Sequence, residues 1–280
     1  PKSLSTLVES ERAFARTSVA KGIRESFLLF FADEGINFQP HPVITKEAIK
    51  SRPAPATLPP VTLDWRPSYA DVSKAGDLGF TTGPYTLIDK GTNPRPPVYG
   101  YYFSIWKLQT DGNWKVAVDA GITTPDPVSL DTAFFQAASR LKPAKESSAV
   151  NQNTERAALL EIDKELSRKS ASADLANSYL SYLSDEVRLY RDGHNPFIGL
   201  AAITAFLPQI EGALSCSPIK SDVATSLDLG YTYGSYELKK RGEQSGIVEK
   251  GYYVHLWKRA SNGSWRLTLD VMRPLPTASN

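Results

Sequence analysis

Residue types that commonly carry site chemistry are scarce in this chain, which has one cysteine, one methionine and three histidines in 280 residues. A lone Cys216 excludes an intrachain disulfide and any zinc site built on several thiolates. An excess of one charge is lacking too: 32 basic and 30 acidic side chains leave a net +2. With the signs interspersed, there is no electrostatic footprint for nucleic acid or an anionic membrane. The one dense basic cluster, Lys239-Lys240-Arg241, falls at an expected hairpin turn. The longest apolar run, Phe27 to Phe31, is far short of the roughly 20 residues a membrane-spanning helix needs. Walker loops, dinucleotide fingerprints, GxSxG elbows and HExxH helices are absent, which argues against nucleotide-dependent, α/β-hydrolase and zinc-protease chemistry. The sequence opens Pro1-Lys2-Ser3 without a methionine; export to a periplasmic or secreted location is one expectation from that start.

What the chain does have is an internal repeat. Asp71 through Asp119 align without a gap on Asp222 through Asp270. Asp77 to Tyr85 (DLGFTTGPY) lies over Asp228 to Tyr236 (DLGYTYGSY), and Gly100 to Lys107 (GYYFSIWK) over Gly251 to Lys258 (GYYVHLWK). A spacing this long is not that of a solenoid, whose units run roughly 20–50 residues. Each copy is long enough to hold its own core. The expected division is a first domain over 1–127, a linker rich in Pro, Ser and Lys over 128–152, and a second domain over 153–280.

Local patterns repeat in the same order. Leu4, Leu7, Val8, Phe14, Ala15 and Val19 recur at helical spacing; Gly22 interrupts, and Ile23, Phe27, Phe30 and Phe31 begin a second helical face. A short strand over 35–39 and a short helix over 46–51 precede a proline-laden stretch, Pro53 to Pro60. Four β-branched and aromatic runs follow, over 62–72, 78–88, 98–108 and 114–122, with turns at Gly76-Asp77, Gly91 and Asp111-Gly112-Asn113. The second half repeats this with helices over 154–170, 174–184 and 200–207, a strand over 187–191, and strands from about 217 to 273. In the linker, Phe134 and Phe135 suggest a helical turn over 131–141 packed on the body. The expected class is α+β: two tandem cone-shaped domains, each with N-terminal helices on a curved antiparallel sheet.

This element order, with the motif GYY-x₃-WK-x₄-(D/N)G-x-W-(K/R)-x₃-D in both halves, resembles the nuclear transport factor 2-like superfamily. The nearest likeness is to SnoaL-like bacterial domains of unassigned function. The resemblance implies a pocket between helices and sheet, and an intrachain pseudo-dimer that packs sheet on sheet and is monomeric or weakly self-associating. That superfamily includes isomerases, dehydratases, epoxide hydrolases and cyclases as well as binding and assembly modules, so fold alone does not choose an activity. Its enzymes use a carboxylate or histidine inside the cone as general base.

Candidate residues come in pairs. His41 and His194 follow the first strand of each copy, where an imidazole near the pocket mouth would serve as a base near neutral pH; the alternative is a loop histidine bonded to backbone and solvent. Asp119 and Asp270 end the last strand motif. Strict alternation sets Trp114, Val116 and Val118 on one face and Lys115, Ala117 and Asp119 on the other, and repeats this at Trp265 to Asp270. If the polar face lines the pocket, each aspartate is a candidate base; otherwise it is a surface carboxylate.

Trp65, Tyr85, Tyr101, Tyr190, Tyr236, Tyr252 and the unrepeated His255 are the expected ligand-lining side chains, against the plainer reading that they pack a core. Neighbours in a strand point opposite ways, so Tyr101 and Tyr102 cannot line one cavity. Cys216 aligns with Trp65, a pairing that suggests packing rather than nucleophilic chemistry. No metal site and no cofactor are expected, and two histidines in separate domains make poor ligands for one ion. The preferred function is binding of a small, mostly apolar molecule in each domain, with no nucleic-acid or membrane partner. A cofactor-independent isomerase or dehydratase using a pocket His or Asp is one alternative, and a structural module with filled pockets is the other.

Overall fold

The computed structural model describes residues 2–128, 135–136, 151–171, 175–240 and 246–276. Its first helix follows the apolar spacing: Leu4, Leu7, Val8, Glu11, Phe14, Ala15 and Ser18 form the buried stripe of α1 (Lys2–Phe30). Gly22 sits inside α1 at φ +85°, a backbone conformation that breaks the helix into two segments and that side chains with a Cβ avoid. Then come β1 (Phe31–Phe38), β2 (Pro42–Ile44), α2 (Thr45–Lys50), β3 (Val61–Trp65), β4 (Tyr69–Val72), β5 (Leu78–Asp89), β6 (Val98–Leu108), β7 (Trp114–Thr124) and β8 (Phe135–Gln136). Strands pair in the order β2-β1-β7-β6-β5-β4-β8, with β3 also on β5.

The second half contributes α3 (Gln152–Ser170), α4 (Leu175–Leu180), β9 (Leu183–Arg191), β10 (Phe197–Ile198), α5 (Leu200–Phe206), β11 (Ala213–Val223), β12 (Leu229–Lys239), β13 (Ile247–Arg259) and β14 (Trp265–Pro274). Its sheet runs β10-β9-β14-β13-β12-β11. The chain divides into two compact units, 1–140 with 193–195, and 141–192 with 196–280.

Each half is an α+β layer pair, as the sequence order implies, and one expectation is corrected. The sheets are mixed rather than wholly antiparallel, because β1 lies parallel to β7 and β9 parallel to β14. The intervening helix and strands form the long crossover that a parallel pair requires. The expected single strand over 62–72 is split into β3 and β4 by Arg66-Pro67-Ser68, whereas its counterpart β11 runs through Pro218 with a register shift. Apart from Phe135 and Gln136, which pair with β4, the expected helical turn over 131–141 lies outside the described residues.

A core forms between helices and sheet in each half. In the first, Leu4, Leu7, Phe14 and Phe31 meet Trp65, Tyr102, Trp106, Trp114 and Val116. In the second, Leu159, Leu166 and Tyr179 meet Leu189, Cys216, Tyr253, Trp257, Trp265 and Met272. Burying each such side chain contributes roughly 1.5–3 kcal/mol. Gly100 and Gly251 each admit a tyrosine ring: a Cβ on Gly100 would lie 2.3 Å from the Tyr85 ring, and one on Gly251 2.8 Å from that of Tyr236. The repeated glycine of GYY is thus a packing requirement.

Candidate functional site

A β-bulge decides which residues face the helices. In β7 the register against β6 slips between Val116 and Val118, leaving Ala117 extra; in β14 it slips between Leu267 and Leu269, leaving Thr268 extra. An extra residue breaks the alternation of side chains along the strand. Trp114 and Val116 point into the first core, and after the bulge Asp119 joins that side, accepting a hydrogen bond from the directly opposite Ser104 Oγ at 2.7 Å. Strict alternation had set Asp119 on the face opposite Trp114 and Val116; the bulge brings them together. Asp270 is turned inward in the same way beside Met272.

In the second half that inward turn completes a buried polar chain. Asp163 lies on the apolar stripe of α3 among Leu159, Leu166, Ser167 and Ser170. Its carboxylate accepts from Tyr253 Oη at 2.8 Å and meets His255 Nδ1 at 2.8 Å. The other ring nitrogen, Nε2, is 3.4 Å from Asp270 Oδ1, an ion-pair contact too long for a well-formed hydrogen bond. Asp270 Oδ2 accepts from Arg191 Nη2 at 2.7 Å. Asp163, His255 and Asp270 are fully buried, and Arg191 is 9% exposed. The imidazole also packs on Tyr253 and meets Trp257 edge-on.

The electrostatics follow from the order of charges. Burial alone would lower the pKa of His255, but the carboxylates of Asp163 and Asp270 outweigh it and raise it to about 9. Burial alone would raise Asp270; Arg191 and the imidazolium outweigh it and hold Asp270 at about 2. Cation and anion therefore alternate along the chain Arg191, Asp270, His255, Asp163. Burial pushes the Tyr253 and Tyr179 hydroxyls and the Cys216 thiol well above their ordinary range, so all three are neutral.

The first half has a carboxylate in the matching place with different company. Glu11 takes the place on α1 that Asp163 takes on α3: a Cβ on Gly79 would meet Leu7, and one on the repeat-equivalent Gly230 would meet Leu159, each one turn before the acid. Glu11 Oε1 accepts from Trp65 Nε1 at 2.5 Å, and Oε2 accepts from Trp106 Nε1 at 2.9 Å and from Thr81 Oγ1. Burial raises its pKa to about 7 against the lowering effect of these donors. Phe14 stacks on or abuts Phe27, Phe30, Phe31, Trp65 and Trp106, so aromatic rings close round the acid.

Of the residues singled out from sequence, the structure brings together Asp270 and His255, and places Trp65 on Glu11. His41 and His194 are exposed, away from these clusters. Tyr101 is bonded through its hydroxyl to Ser68 at 2.5 Å, on the strand face opposite Tyr102, which faces the first core. Tyr252 likewise lies opposite the inward Tyr253. Tyr85 packs against the first core, Tyr190 is buried next to Arg191 on β9, and Tyr236 donates to Glu249 at 2.6 Å. Sequence reasoning missed Glu11, Asp163, Arg191, Tyr179 and Tyr253. The available signal was an acid inside an apolar helical stripe, at Leu7-Glu11-Phe14 and again at Leu159-Asp163-Leu166.

Among the described residues, no group of three or more His, Cys, Asp or Glu is placed to hold a metal ion. Asp163 and Asp270 lie on opposite edges of the His255 ring and do not converge on one point. No helix among the described residues is long and apolar enough to cross a membrane.

No family model and no curated protein matches the chain. Among solved structures, it is similar to a putative scytalone dehydratase from Novosphingobium aromaticivorans (14% identity, TM-score 0.34), covering 49% of this chain and 94% of that one. It is also similar to a nuclear transport factor 2-like superfamily protein from Salmonella enterica (11%, TM-score 0.36; 45% and 95% covered). A third likeness is to a ketosteroid isomerase-like protein from Erwinia carotovora (13%, TM-score 0.32; 44% and 97% covered). The chain resembles nuclear transport factor 2-like proteins of cystatin-like fold, each match spanning about half its length.

Proposed function

We propose that the protein binds a small molecule between the helices and sheet of its second half, and that the first half serves as a structural partner with its interior filled. One observation carries this reading. His255 Nε2, Asp270 Oδ1 and Tyr179 Oη are buried polar atoms that make no hydrogen bond within the protein, and such atoms call for an explanation in a native core. In the first half the equivalent acid is supported by two indoles and a hydroxyl, so nothing there asks for a ligand.

A second reading is favoured by the charge on His255. An imidazole raised to about 9 is protonated at neutral pH, so it would act by donating a proton rather than taking one. In an isomerase or dehydratase, His255 would then be the general acid toward a carbonyl or leaving hydroxyl oxygen, with Asp163 and Asp270 holding the charge. A title such as scytalone dehydratase or ketosteroid isomerase-like belongs to the similar structures, and supports this reading only by analogy of fold.

Screening a library of neutral small molecules by calorimetry on the whole chain tests the binding reading. Hits should bind the wild type and lose at least about tenfold in affinity in His255→Asn, with Ser104→Ala in the first half unaffected. Hits that ignore His255→Asn while responding to first-half variants would put the site in the wrong half. Turnover of a hit, abolished in the same variant, would establish the catalytic reading.

A further inference from the structure

We infer that the second-half site selects an uncharged, ring-bearing molecule that presents a hydroxyl group, an inference that rests on the binding reading above. The buried chain already balances its charges, with Arg191 against Asp270 and His255 against Asp163. No further cation or anion in that core stands ready to pair with a ligand ion, and an unpaired buried charge is costly. The polar atoms left open are of both kinds. Asp270 Oδ1 can only accept, His255 Nε2 faces it as a donor, and Tyr179 Oη can do either.

A hydroxyl donates once and accepts twice, so it can serve both kinds together. A carboxylate has only acceptors and would meet Asp270 as a like charge. An ammonium has only donors and would meet His255 and Arg191 as like charges. Ring size follows from the repeat: the thiol of Cys216 stands at the strand position where the first half carries the Trp65 indole, which reaches the equivalent acid. Replacing an indole by a thiol removes most of a bicyclic ring's bulk from that place.

Calorimetric titration of the whole chain at neutral pH with benzyl alcohol, benzoate and benzylammonium tests the inference. The alcohol should bind at least about tenfold more tightly than either ion, and Tyr179→Phe should weaken the alcohol about tenfold. That substitution removes only the unpartnered hydroxyl, so thermal unfolding should change little and loss of binding cannot be ascribed to loss of fold. An ion that binds as well as the alcohol, with binding lost in His255→Asn, would overturn the charge rule while leaving the site in place. Absence of binding by all three probes, or alcohol binding indifferent to both Tyr179→Phe and His255→Asn, would overturn the site itself.

Discussion

Glu11 and Asp163 occupy the same place on the first helix of their halves, and each is fully buried. Glu11 is held by neutral donors, two indoles and a threonine hydroxyl, while Asp163 is held by a tyrosine and a charged imidazole. A duplicated scaffold thus carries one acid in a filled aromatic interior and one in an ionic chain. That difference sets the pH and mutational behaviour expected of each half.

Glu11 has a folded-state pKa of about 7 against 4.5 for the free side chain. The folded state therefore holds its proton more tightly than the unfolded chain. The resulting stability is fully present below about pH 4.5 and is lost as pH rises through about 7, on the order of 3 kcal/mol. Urea unfolding of wild type and Glu11→Gln between pH 4 and 8 should show the wild type losing stability relative to the variant across that window. A constant difference would mean that the indole donors keep Glu11 ionised throughout.

His255 behaves with the opposite partner logic and a later window. Its pKa is raised from 6.5 to about 9, so its contribution is complete below about pH 6.5 and fades as pH passes 9. His255→Gln leaves Asp163 and Asp270 without their shared cation and should cost roughly 3–5 kcal/mol near pH 6. The penalty, read from unfolding midpoints, should shrink by pH 9.5. A penalty that stays constant would assign His255 a packing role only.

The repeat-equivalent aspartates should differ in cost. Asp270 is fully buried between Arg191 and His255 and is held at about 2; its stabilising effect is present above pH 3.8 and lost as pH falls through 2. Asp119 is only partly buried, and Ser104 donates to it. At pH 7, Asp270→Asn should destabilise by roughly 3–5 kcal/mol and Asp119→Asn by about 1 kcal/mol. Equal costs would show that the ionic chain adds nothing at that position.

Gly251→Ala should destabilise by about 1–3 kcal/mol through overpacking, since its Cβ would lie 2.1 Å from the Arg273 carbonyl oxygen and 2.8 Å from the Tyr236 ring. Shortening Tyr236 to leucine in the same chain relieves the ring contact alone, so partial recovery in thermal unfolding would identify the ring as part of the cost. No recovery would place all of it on the backbone contact.

The repeat, the helical stripes and the alternating strands are local patterns, and they determined by themselves that this is a pair of α+β halves with helices preceding strands. They also marked His255 as the one polar departure within the duplicated strand motif. The face of Asp119 and Asp270 was not legible, because a one-residue bulge at Ala117 and Thr268 is a property of pairing with the neighbouring strand and leaves no mark in the strand's own alternation. Nor could sequence join Asp163 to His255, 92 positions apart, or Arg191 to Asp270, 79 apart. Those ion pairs exist because α3 lies across the sheet and β9 lies parallel to β14. Periodicity says which side of an element is buried; only the packing of elements on one another decides which buried charges meet.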